Sequence, residues 1–302
     1  MMRTFRRNLN LKSTAHRARK YQKAPERHSF AAYLILKAAF IRFFERKNVI
    51  LQAEKQLLLL MQYHNTTAAG LYDPANEHDA CGVGMVVNVH GGKSHELVDN
   101  ALRILENMKH RGAEGADNKT GDGAGIMVQI PHEFILLQGI PVPEKGRYGT
   151  GLIFLPKDEL RQSDFLKILA EEAEREGLTL MHVREVPVHS DVLGIEARAT
   201  EPAIRQVFLT GADGDELERR LYIVRKKTEQ RTQQQGGCYI VSLSSKTIIY
   251  KGMLSSMQVR TYFADLAQPY FTSGLAVVHS RFSTNTFPTW SLAQPFRLLA
   301  HN

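Results

Sequence analysis

Residues 237–254 read GCYIVSLSSKTIIYKGML and contain two predicted strands, Tyr239–Leu243 and Thr247–Tyr250, which follow each other directly along the chain. Strands that succeed one another in this way, beside a few long helices, are typical of an α+β fold and not of a parallel βαβ sheet. This stretch therefore decides the fold class, and the elements on either side of it extend the same pattern.

Two helices are predicted on the amino-terminal side of this stretch. One covers residues 158–176 and is closed by Gly177. The other is capped by Ser94 and ends near residues 110–112, with Gly112 just past its last turn. Its apolar stripe has helical spacing and consists of Leu97, Ala101, Leu105 and Met108. The remaining predicted strands are Met85–Val89 (expected to be buried), Ile126–Ile130, Gly151–Leu155, Leu178–Val186, Arg220–Val224 and Leu275–His279.

The net charge of +8 belongs to one end of the chain. Residues 1–60 hold 14 Lys and Arg against 3 Asp and Glu, whereas residues 61–302 hold 25 against 28. The body of the protein therefore has no polyanion-binding signature, and we predict no nucleic-acid partner. Residues 1–60 are interpreted as a basic extension: a mitochondrial presequence, a basic amphipathic helix, or residues that are not native, since Met61 offers a second start.

Membrane and redox arguments both favour a cytoplasmic protein. No apolar run reaches the roughly 18–20 residues of a membrane-spanning helix, so no membrane association is predicted for the body. The chain has only two cysteines, Cys81 and Cys238, which do not form a disulfide framework and fit a reducing compartment. We interpret Cys238 as a small core residue of its strand. The histidines lack zinc-type spacing, so no metal site is predicted.

Four segments carry residues suited to chemistry. Cys81 precedes the small residues of Gly82-Val83-Gly84, which leave room for a substrate, although most such cysteines are merely buried. A glycine-dense turn at residues 120–125 contains Asp122 and Gly123; it lacks the Lys-Ser/Thr of a phosphate-binding loop and is interpreted as a tight turn that could line a site. It follows a segment that contains His110 and Arg111.

The other two segments lie near the carboxyl end of the sequence. Arg281 and Thr284 follow the predicted strand Leu275–His279, where polar residues are typical of a site rim. The planar fork of an arginine binds a carboxylate in a bidentate way, although a surface ion pair is its commoner role. Asn302 carries an amide that can donate to an oxyanion.

The order and spacing of these segments resemble those of the glutaminase domain at the amino end of the glutamate synthase large subunit, a class II glutamine amidotransferase. The resemblance covers about residues 71–302. It is carried by the motifs LYDP (71–74), CGVG (81–84), HRGA (110–113), TGDGAGI (120–126), YIVSLSS (239–245), YKGML (250–254), HSRFSTNT (279–286) and HN (301–302).

This resemblance implies an N-terminal nucleophile hydrolase fold, a four-layer α/β/β/α sandwich of two antiparallel sheets, incomplete at the C-terminus. It implies three parts: the extension 1–60, a propeptide 61–80, and the amidotransferase domain 81–302. Removal of the propeptide would make Cys81 the first residue, and Cys81 would attack the side-chain amide of L-glutamine. Arg281 would hold the substrate's α-carboxylate, and Asn302 would donate to the oxyanion.

The resemblance also implies a larger enzyme, in which the ammonia passes to further synthase domains that aminate 2-oxoglutarate with FMN and an iron–sulfur cluster, with a small reductase subunit as a candidate partner. None of that machinery is predicted in these 302 residues. We therefore expect weak or no glutaminase activity from the isolated chain, and turnover comparable to that of a longer form would contradict this expectation.

Two other functions stay open from the sequence. A different class II amidotransferase, which feeds ammonia to asparagine or amino-sugar synthesis, is compatible with Cys81 and residues 110–112, although the TNTFP and YKGML strings favour glutamate synthase. A non-catalytic protein that binds an anionic surface through residues 1–60 would lose its binding at high salt and on deletion of that extension.

Overall fold

The computed structural model describes residues 82–233, 236–282 and 286–297, all within one compact unit. The predicted extension 1–60, the predicted propeptide 61–80, and the predicted site residues Cys81, Thr284 and Asn302 lie outside these ranges. In the described residues, no helix combines the length and the apolar character that a bilayer crossing requires.

The described residues form two four-stranded antiparallel sheets. The first has the strand order β1-β8-β2-β7 and the second the order β4-β5-β3-β6. The strands of the first sheet are β1 (Val83–Val87), β2 (Ala124–Gln129), β7 (Thr247–Gly252) and β8 (Leu275–Ser280). The strands of the second sheet are β3 (Tyr148–Leu155), β4 (Thr179–Glu185), β5 (Ala203–Thr210) and β6 (Tyr239–Ile240).

Helices lie against both sheets. The α-helices are α1 (His95–Asn107), α2 (His132–Leu137), α3 (Glu159–Arg175), α4 (Ile195–Ala199), α5 (Gly214–Arg231) and α6 (Val259–Tyr262). Helix α1 packs on β8 and β1, α3 and α5 pack on each other and on the second sheet, and β3 contacts β7 of the first sheet. The predicted α+β fold with two antiparallel sheets, as in N-terminal nucleophile hydrolases, is confirmed.

The second sheet shows why its residues form strands. Ile153 and Leu155 of β3 join Val207 and Leu209 of β5 in one buried cluster with the apolar stripes of α3 and α5. The residues between them, such as Leu152 and Phe154 of β3, belong to the larger core cluster. Side chains of a strand alternate between the two faces, so a strand with both faces covered must be apolar at nearly every position, as β3 is.

The two predicted helices are confirmed, as are the cap at Ser94 and the closing Gly177, although the first helix ends at Asn107, earlier than predicted. The Ser94 hydroxyl accepts a hydrogen bond from the backbone N–H of Leu97 at 3.1 Å, which satisfies one of the four N–H groups without a helical partner. Asp158 does the same for Arg161 at 2.9 Å. Gly177 has φ +68°, the left-handed conformation that favours glycine after a helix.

Three predictions about local structure are wrong. The segment 220–224, predicted as a strand, lies inside α5, because its Leu221 and Val224 continue a buried helical stripe that begins at Leu217. The strand predicted as buried at 85–89 is β1, which starts two residues earlier and lies at the edge of its sheet, so Met85 is 51% exposed. Strand β5, which lies between the helices α4 and α5, was not predicted.

Two smaller corrections concern glycine and cysteine. Gly112 does not cap α1 in the left-handed conformation: a 3₁₀ helix, Lys109–Arg111, follows α1, and Gly112 is extended with φ −100°. Cys238 is half-buried and precedes β6, where it packs at the edge of the second core and not inside it.

Candidate active site

Three of the predicted segments meet at one end of the first sheet. Strand β1 begins one residue after Gly82, β2 begins one residue after Gly123, and the antiparallel β8 ends at Ser280 between them. The Ser280 N–H donates to the Gly82 carbonyl at 2.8 Å, and the Arg281 N–H donates to the Gly123 carbonyl at 2.8 Å. Gly82, which follows Cys81 in the chain, is therefore hydrogen-bonded to Ser280, which precedes Arg281.

The fourth segment joins them through Gly112. A Cβ atom at this position would lie 2.7 Å from the Ser280 hydroxyl and 3.9 Å from the Arg281 carbonyl. The first distance is shorter than real Cβ atoms allow, so a side chain at position 112 would displace the Ser280 hydroxyl, whereas the Arg281 carbonyl is at ordinary contact distance. The HRGA string thus packs against the side chain of Ser280 in the HSRF string.

The described walls of this region form a narrow cleft. Its empty volume, including space open to solvent, is about 220 Å³. The lining residues come from the segments just described and from the turn after β7: Lys109, Gly112, Ala113, Glu114, Asp122, Gly123, Leu254, Ser255, Ser256, Ser280 and Arg281. The cleft thus brings together residues from four separate parts of the chain.

Arg281 lies at the mouth of this cleft with its guanidinium oriented by two hydrogen bonds. Nη1 donates to the Asp122 carbonyl at 3.3 Å, and Nη2 donates to the Thr286 hydroxyl at 2.6 Å. Both acceptors are neutral, so neither neutralises the positive charge. A guanidinium carries five N–H donors, so an orientation set by two bonds is compatible with a substrate carboxylate in front of the group.

Asp122 and Gly123 lie in the cleft wall, whereas His110 and Arg111 lie in the adjoining 3₁₀ helix and are not lining residues. His110 is exposed and Arg111 is half-buried. The described cleft also uses Lys109 and Ser280, which sequence reasoning did not single out. Each is a direct neighbour of a predicted residue, so the segments were correctly located although these two lining residues were not singled out.

The turn that carries Asp122 and Gly123 is fixed by close backbone packing. Gly123 has φ +132°, so the predicted role of glycine in this turn is confirmed at this position. A Cβ at Gly121 would lie 2.1 Å from the backbone carbon of Leu254, which leaves no space for a side chain. The backbone of Leu254, in the turn after β7, therefore packs directly against Gly121 of the glycine-dense turn.

Asp117 holds the loop that leads into this turn. Its carboxylate accepts hydrogen bonds from the Thr120 hydroxyl at 2.6 Å, from the Thr120 N–H at 2.7 Å, and from the Ile195 N–H at the start of α4 at 2.8 Å. Hydrogen bonds from Thr120 are the main reason that the pKa of Asp117 lies well below its ordinary value. The carboxylate is therefore ionised at neutral pH and ties the loop to α4.

Lys251, in the YKGML string, is the unusual charge of this region because its side chain is fully buried. Its Nζ donates to the Ala293 carbonyl at 2.6 Å and to the Ser291 carbonyl at 2.9 Å. Burial, followed by repulsion from Arg297, lowers the pKa of Lys251 to about 7. The described segment 286–297 is thus hydrogen-bonded to β7 through the side chain of Lys251.

No group of three or more His, Cys, Asp or Glu residues that could hold a metal ion occurs among the described residues. The described cleft offers a cationic fork at Arg281, the hydroxyls of Ser255, Ser256 and Ser280, and the backbone groups of closely packed turns.

Comparison with known proteins agrees with this arrangement. The family profile of the class II glutamine amidotransferases matches residues 81–302. The chain belongs to this family. As a class II glutamine amidotransferase it is an enzyme domain, and its similarity to glutamate synthases confirms the resemblance on which the sequence analysis rests.

Among the relatives of this class II amidotransferase is the ferredoxin-dependent glutamate synthase 2 of Synechocystis sp., at 45% identity over 75% of this chain and 15% of the relative. The NADPH glutamate synthase large chain of Bacillus subtilis is 44% identical over 78% of this chain and 16% of the relative. The NADH glutamate synthase of Saccharomyces cerevisiae is 43% identical over 77% of this chain and 12% of the relative. The chain thus spans less than a fifth of the length of these relatives.

Proposed function

We propose that this chain is the domain that, within the full-length enzyme, hydrolyses the side-chain amide of L-glutamine to glutamate and ammonia with Cys81 as the nucleophile; for the isolated 302-residue chain the expectation of weak or no turnover stands. The observation that carries the proposal is the pair of backbone hydrogen bonds, Gly82 to Ser280 and Gly123 to Arg281, each 2.8 Å long. They tie the residue next to Cys81 to the strand end from which Arg281 projects. A thiol and a carboxylate-binding fork are the two groups needed to engage the two ends of one glutamine molecule.

In the first half of the reaction the Cys81 sulfur attacks the amide carbon. The amide nitrogen takes up a proton and leaves as ammonia, and a glutamyl thioester remains. In the second half a water molecule attacks the thioester carbon, the C–S bond breaks, and the thiol recovers its proton. No oxidant or reductant enters either half.

The base for this chemistry is the α-amino group that Cys81 acquires when the chain is cut between Ala80 and Cys81. A free α-amino group has a pKa of about 7.7–8.0, so a sizeable fraction of it is neutral near pH 7 and can accept the thiol proton, whose own pKa is about 8.5. An internal Cys81 has its nitrogen in an amide and has no such base. Processing is therefore a chemical requirement of the mechanism.

Asn302 is the proposed oxyanion donor, and Thr284 is a further candidate for lining the site. An amide donor at the position of the developing oxyanion contributes roughly 3 kcal/mol to transition-state stabilisation. The described segment 286–297 lies between these two residues in the chain, and it is bonded to β7 through Lys251 and to β6 through Arg297. These bonds attach the described segment to a strand of each sheet.

In the full-length enzyme we propose that the ammonia is used by further synthase domains, which convert 2-oxoglutarate to glutamate. An iron–sulfur cluster is usually held by four cysteine thiolates, whereas this chain contains two cysteines. The residues present do not fit such a cluster, so the cluster and the FMN expected of a glutamate synthase belong to those other domains. Residues 1–60 lie outside the described ranges, and their binding to an anionic surface stays a prediction.

The test uses the two cysteines as a matched pair. Glutamate and ammonia released from L-glutamine are measured for the full natural protein and for its C81A and C238A variants, together with the mass of the mature N-terminus. We expect C81A to lose about 10³-fold or more in turnover and C238A to keep the wild-type rate. Turnover that survives in C81A, or a mature chain that does not begin at Cys81, would contradict the proposal.

A further inference from the structure

Lys251 is buried without a carboxylate partner among the described residues, which is a costly arrangement for an ammonium group. Its three contacts are the carbonyls of Ser291 and Ala293 and, at 3.3 Å, the hydroxyl of Tyr239. An ammonium has three N–H donors, so each donor has one acceptor. Two of the three acceptors belong to the main chain of a single segment.

The surroundings of Lys251 favour a cation without neutralising it. Its Nζ lies 4.8 Å from the ring centre of Tyr239 and 4.6 Å from that of Phe296, distances at which an aromatic ring attracts a positive charge. Phe296 belongs to the same segment as Ser291 and Ala293. The segment therefore supplies both the carbonyls and one of the rings that hold the ammonium.

A second cation fastens the end of this segment. Arg297 donates to the Ile240 carbonyl at 2.9 Å, to the Tyr239 hydroxyl at 3.0 Å and to the Glu229 carboxylate at 3.1 Å. Between the two cations, Trp290 packs on Gly252 so closely that a Cβ there would lie 2.5 Å from its ring. The segment is thus fixed at residues 290–293 and again at residue 297, five residues before Asn302.

We propose that Lys251 is a positioning residue for the amidase reaction. Its side-chain nitrogen, by donating to two main-chain carbonyls, fixes residues 291–293, the described segment that leads along the chain to the proposed oxyanion donor Asn302. This inference rests on the proposed function, because it needs Cys81 as the nucleophile and Asn302 as the donor. Lys251 itself does not touch the substrate.

Maintaining stability alone does not require a lysine at this position. An apolar side chain of similar length would fill the same space without the cost of removing a charge from water, and replacing buried ions by apolar groups is often neutral or stabilising. The specific contribution of the ammonium is directional: it ties two carbonyls of the segment to one point on β7. We therefore expect its loss to affect the placement of the segment more than the survival of the fold.

The test compares K251M with Y250F in the full natural protein. Tyr250 is the preceding residue on β7, so its side chain points to the opposite face of the strand, where its hydroxyl donates to the buried Asp265 at 2.8 Å. Y250F thus removes a buried hydrogen bond from the same strand without touching segment 286–297. Both variants are measured for glutamine turnover, for alkylation of Cys81 by iodoacetamide, and for backbone hydrogen exchange.

The two reactions of Cys81 separate positioning from a general loss of structure. Alkylation is a displacement at carbon that forms no oxyanion, whereas amide hydrolysis depends on the oxyanion donor. Removal of such a donor costs about 10²–10³ in kcat, so we expect its displacement in K251M to lower kcat by about 10–100-fold. KM for glutamine and the rate of alkylation should stay within about 3-fold of wild type, while amides of residues 290–297 exchange at least about 10-fold faster.

Y250F should leave kcat, KM, the alkylation rate of Cys81 and the hydrogen-exchange rates of residues 290–297 within about 3-fold of wild type. The positioning role is overturned if K251M keeps the wild-type kcat, or if its alkylation rate falls in parallel with kcat, because the second result means that the nucleophile itself is disturbed. If wild-type protein has no Cys81-dependent turnover, the proposed function fails and the inference fails with it. Loss of turnover in K251M alone, with alkylation intact, leaves the proposed function standing and supports the inference.

Discussion

The buried ammonium of Lys251 makes a quantitative prediction about stability and pH. In the folded protein its pKa is about 7, whereas the ordinary value that applies to the unfolded chain is 10.5. At about 1.4 kcal/mol per pKa unit, the difference corresponds to about 5 kcal/mol. This is the free energy by which the charged form of Lys251 disfavours folding at a pH well below 7.

The sign of the effect follows from the proton count of the two states. Between about pH 7 and pH 10 the unfolded chain keeps the Lys251 proton and the folded protein has lost it, so the free energy of unfolding rises with pH. The contribution of this one group amounts to about 2 kcal/mol between about pH 7 and about pH 9. The K251M variant lacks this contribution, whatever its stability at neutral pH.

Urea unfolding measures the effect directly. The single tryptophan, Trp290, is buried against Phe154 and Tyr262 and reports unfolding through its fluorescence. We expect the difference in unfolding free energy between wild type and K251M to shift by about 2 kcal/mol in favour of wild type over that interval. The Y250F variant should run parallel to wild type. A difference between wild type and K251M that is constant from about pH 7 to about pH 9 would refute the reasoning, because Lys251 would then keep its proton in the folded state.

Three further predictions concern the cleft and its support. R281K should raise KM for glutamine by about 10–100-fold with a smaller change in kcat, because lysine lacks the planar fork. The control R161K, on the exposed surface, should leave KM unchanged. Equal KM values for R281K and wild type would contradict the assigned role. G121A should unfold at lower urea than wild type, since its Cβ would lie 2.1 Å from the Leu254 backbone carbon, and an unchanged urea midpoint would be the opposing result. D117N should weaken the hydrogen bonds to Thr120 and Ile195 and so speed backbone hydrogen exchange in loop 113–121, while exchange in α3 stays at the wild-type rate. An equal change of the exchange rate in both regions would count against a local role.

The sequence predicted those parts of the fold whose signals are local. The cap at Ser94 and the glycine after α3 act through neighbouring backbone groups, so they can be identified without a three-dimensional structure. Strand β5 is different, because its alternation is interrupted by Gln206, which is 1% exposed yet polar. Its side-chain amide donates to the Thr150 hydroxyl of β3 at 2.9 Å, a partner that lies 56 positions away in the chain.

Helix α5 illustrates a second limit. The run Leu221-Tyr222-Ile223-Val224 is rich in residues that favour strands, and it predicted a strand on local propensity. The helix forms because Leu217, Leu221 and Val224 repeat at helical intervals over a longer window and bury against α3 and the second sheet. Tyr222, on the other side of the helix, is 54% exposed. Tertiary burial therefore decides between two patterns that coexist in the same residues.

The candidate site was predictable as segments and not as individual side chains. The order of the motifs located the cleft walls, including Asp122, Gly123 and Arg281. That Lys109 faces the cleft and His110 does not depends on the 3₁₀ turn after α1, and motif order carries no information about such a turn. The importance of Lys251 was equally hidden, since its acceptors are main-chain carbonyls, which every residue possesses.

The pairing of β1 with β8 has a consequence for the entropy of catalysis. The ladder begins at Val83 opposite His279, and the Gly82 carbonyl is already engaged by Ser280. The proposed nucleophile is therefore attached to the rigid sheet by a tether of one residue. Ordering the backbone of a residue costs about 1–2 kcal/mol, and for Gly82 and Val83 that cost is already met by folding. Each flexible residue inserted after Cys81 would lengthen that tether and restore part of the entropic barrier.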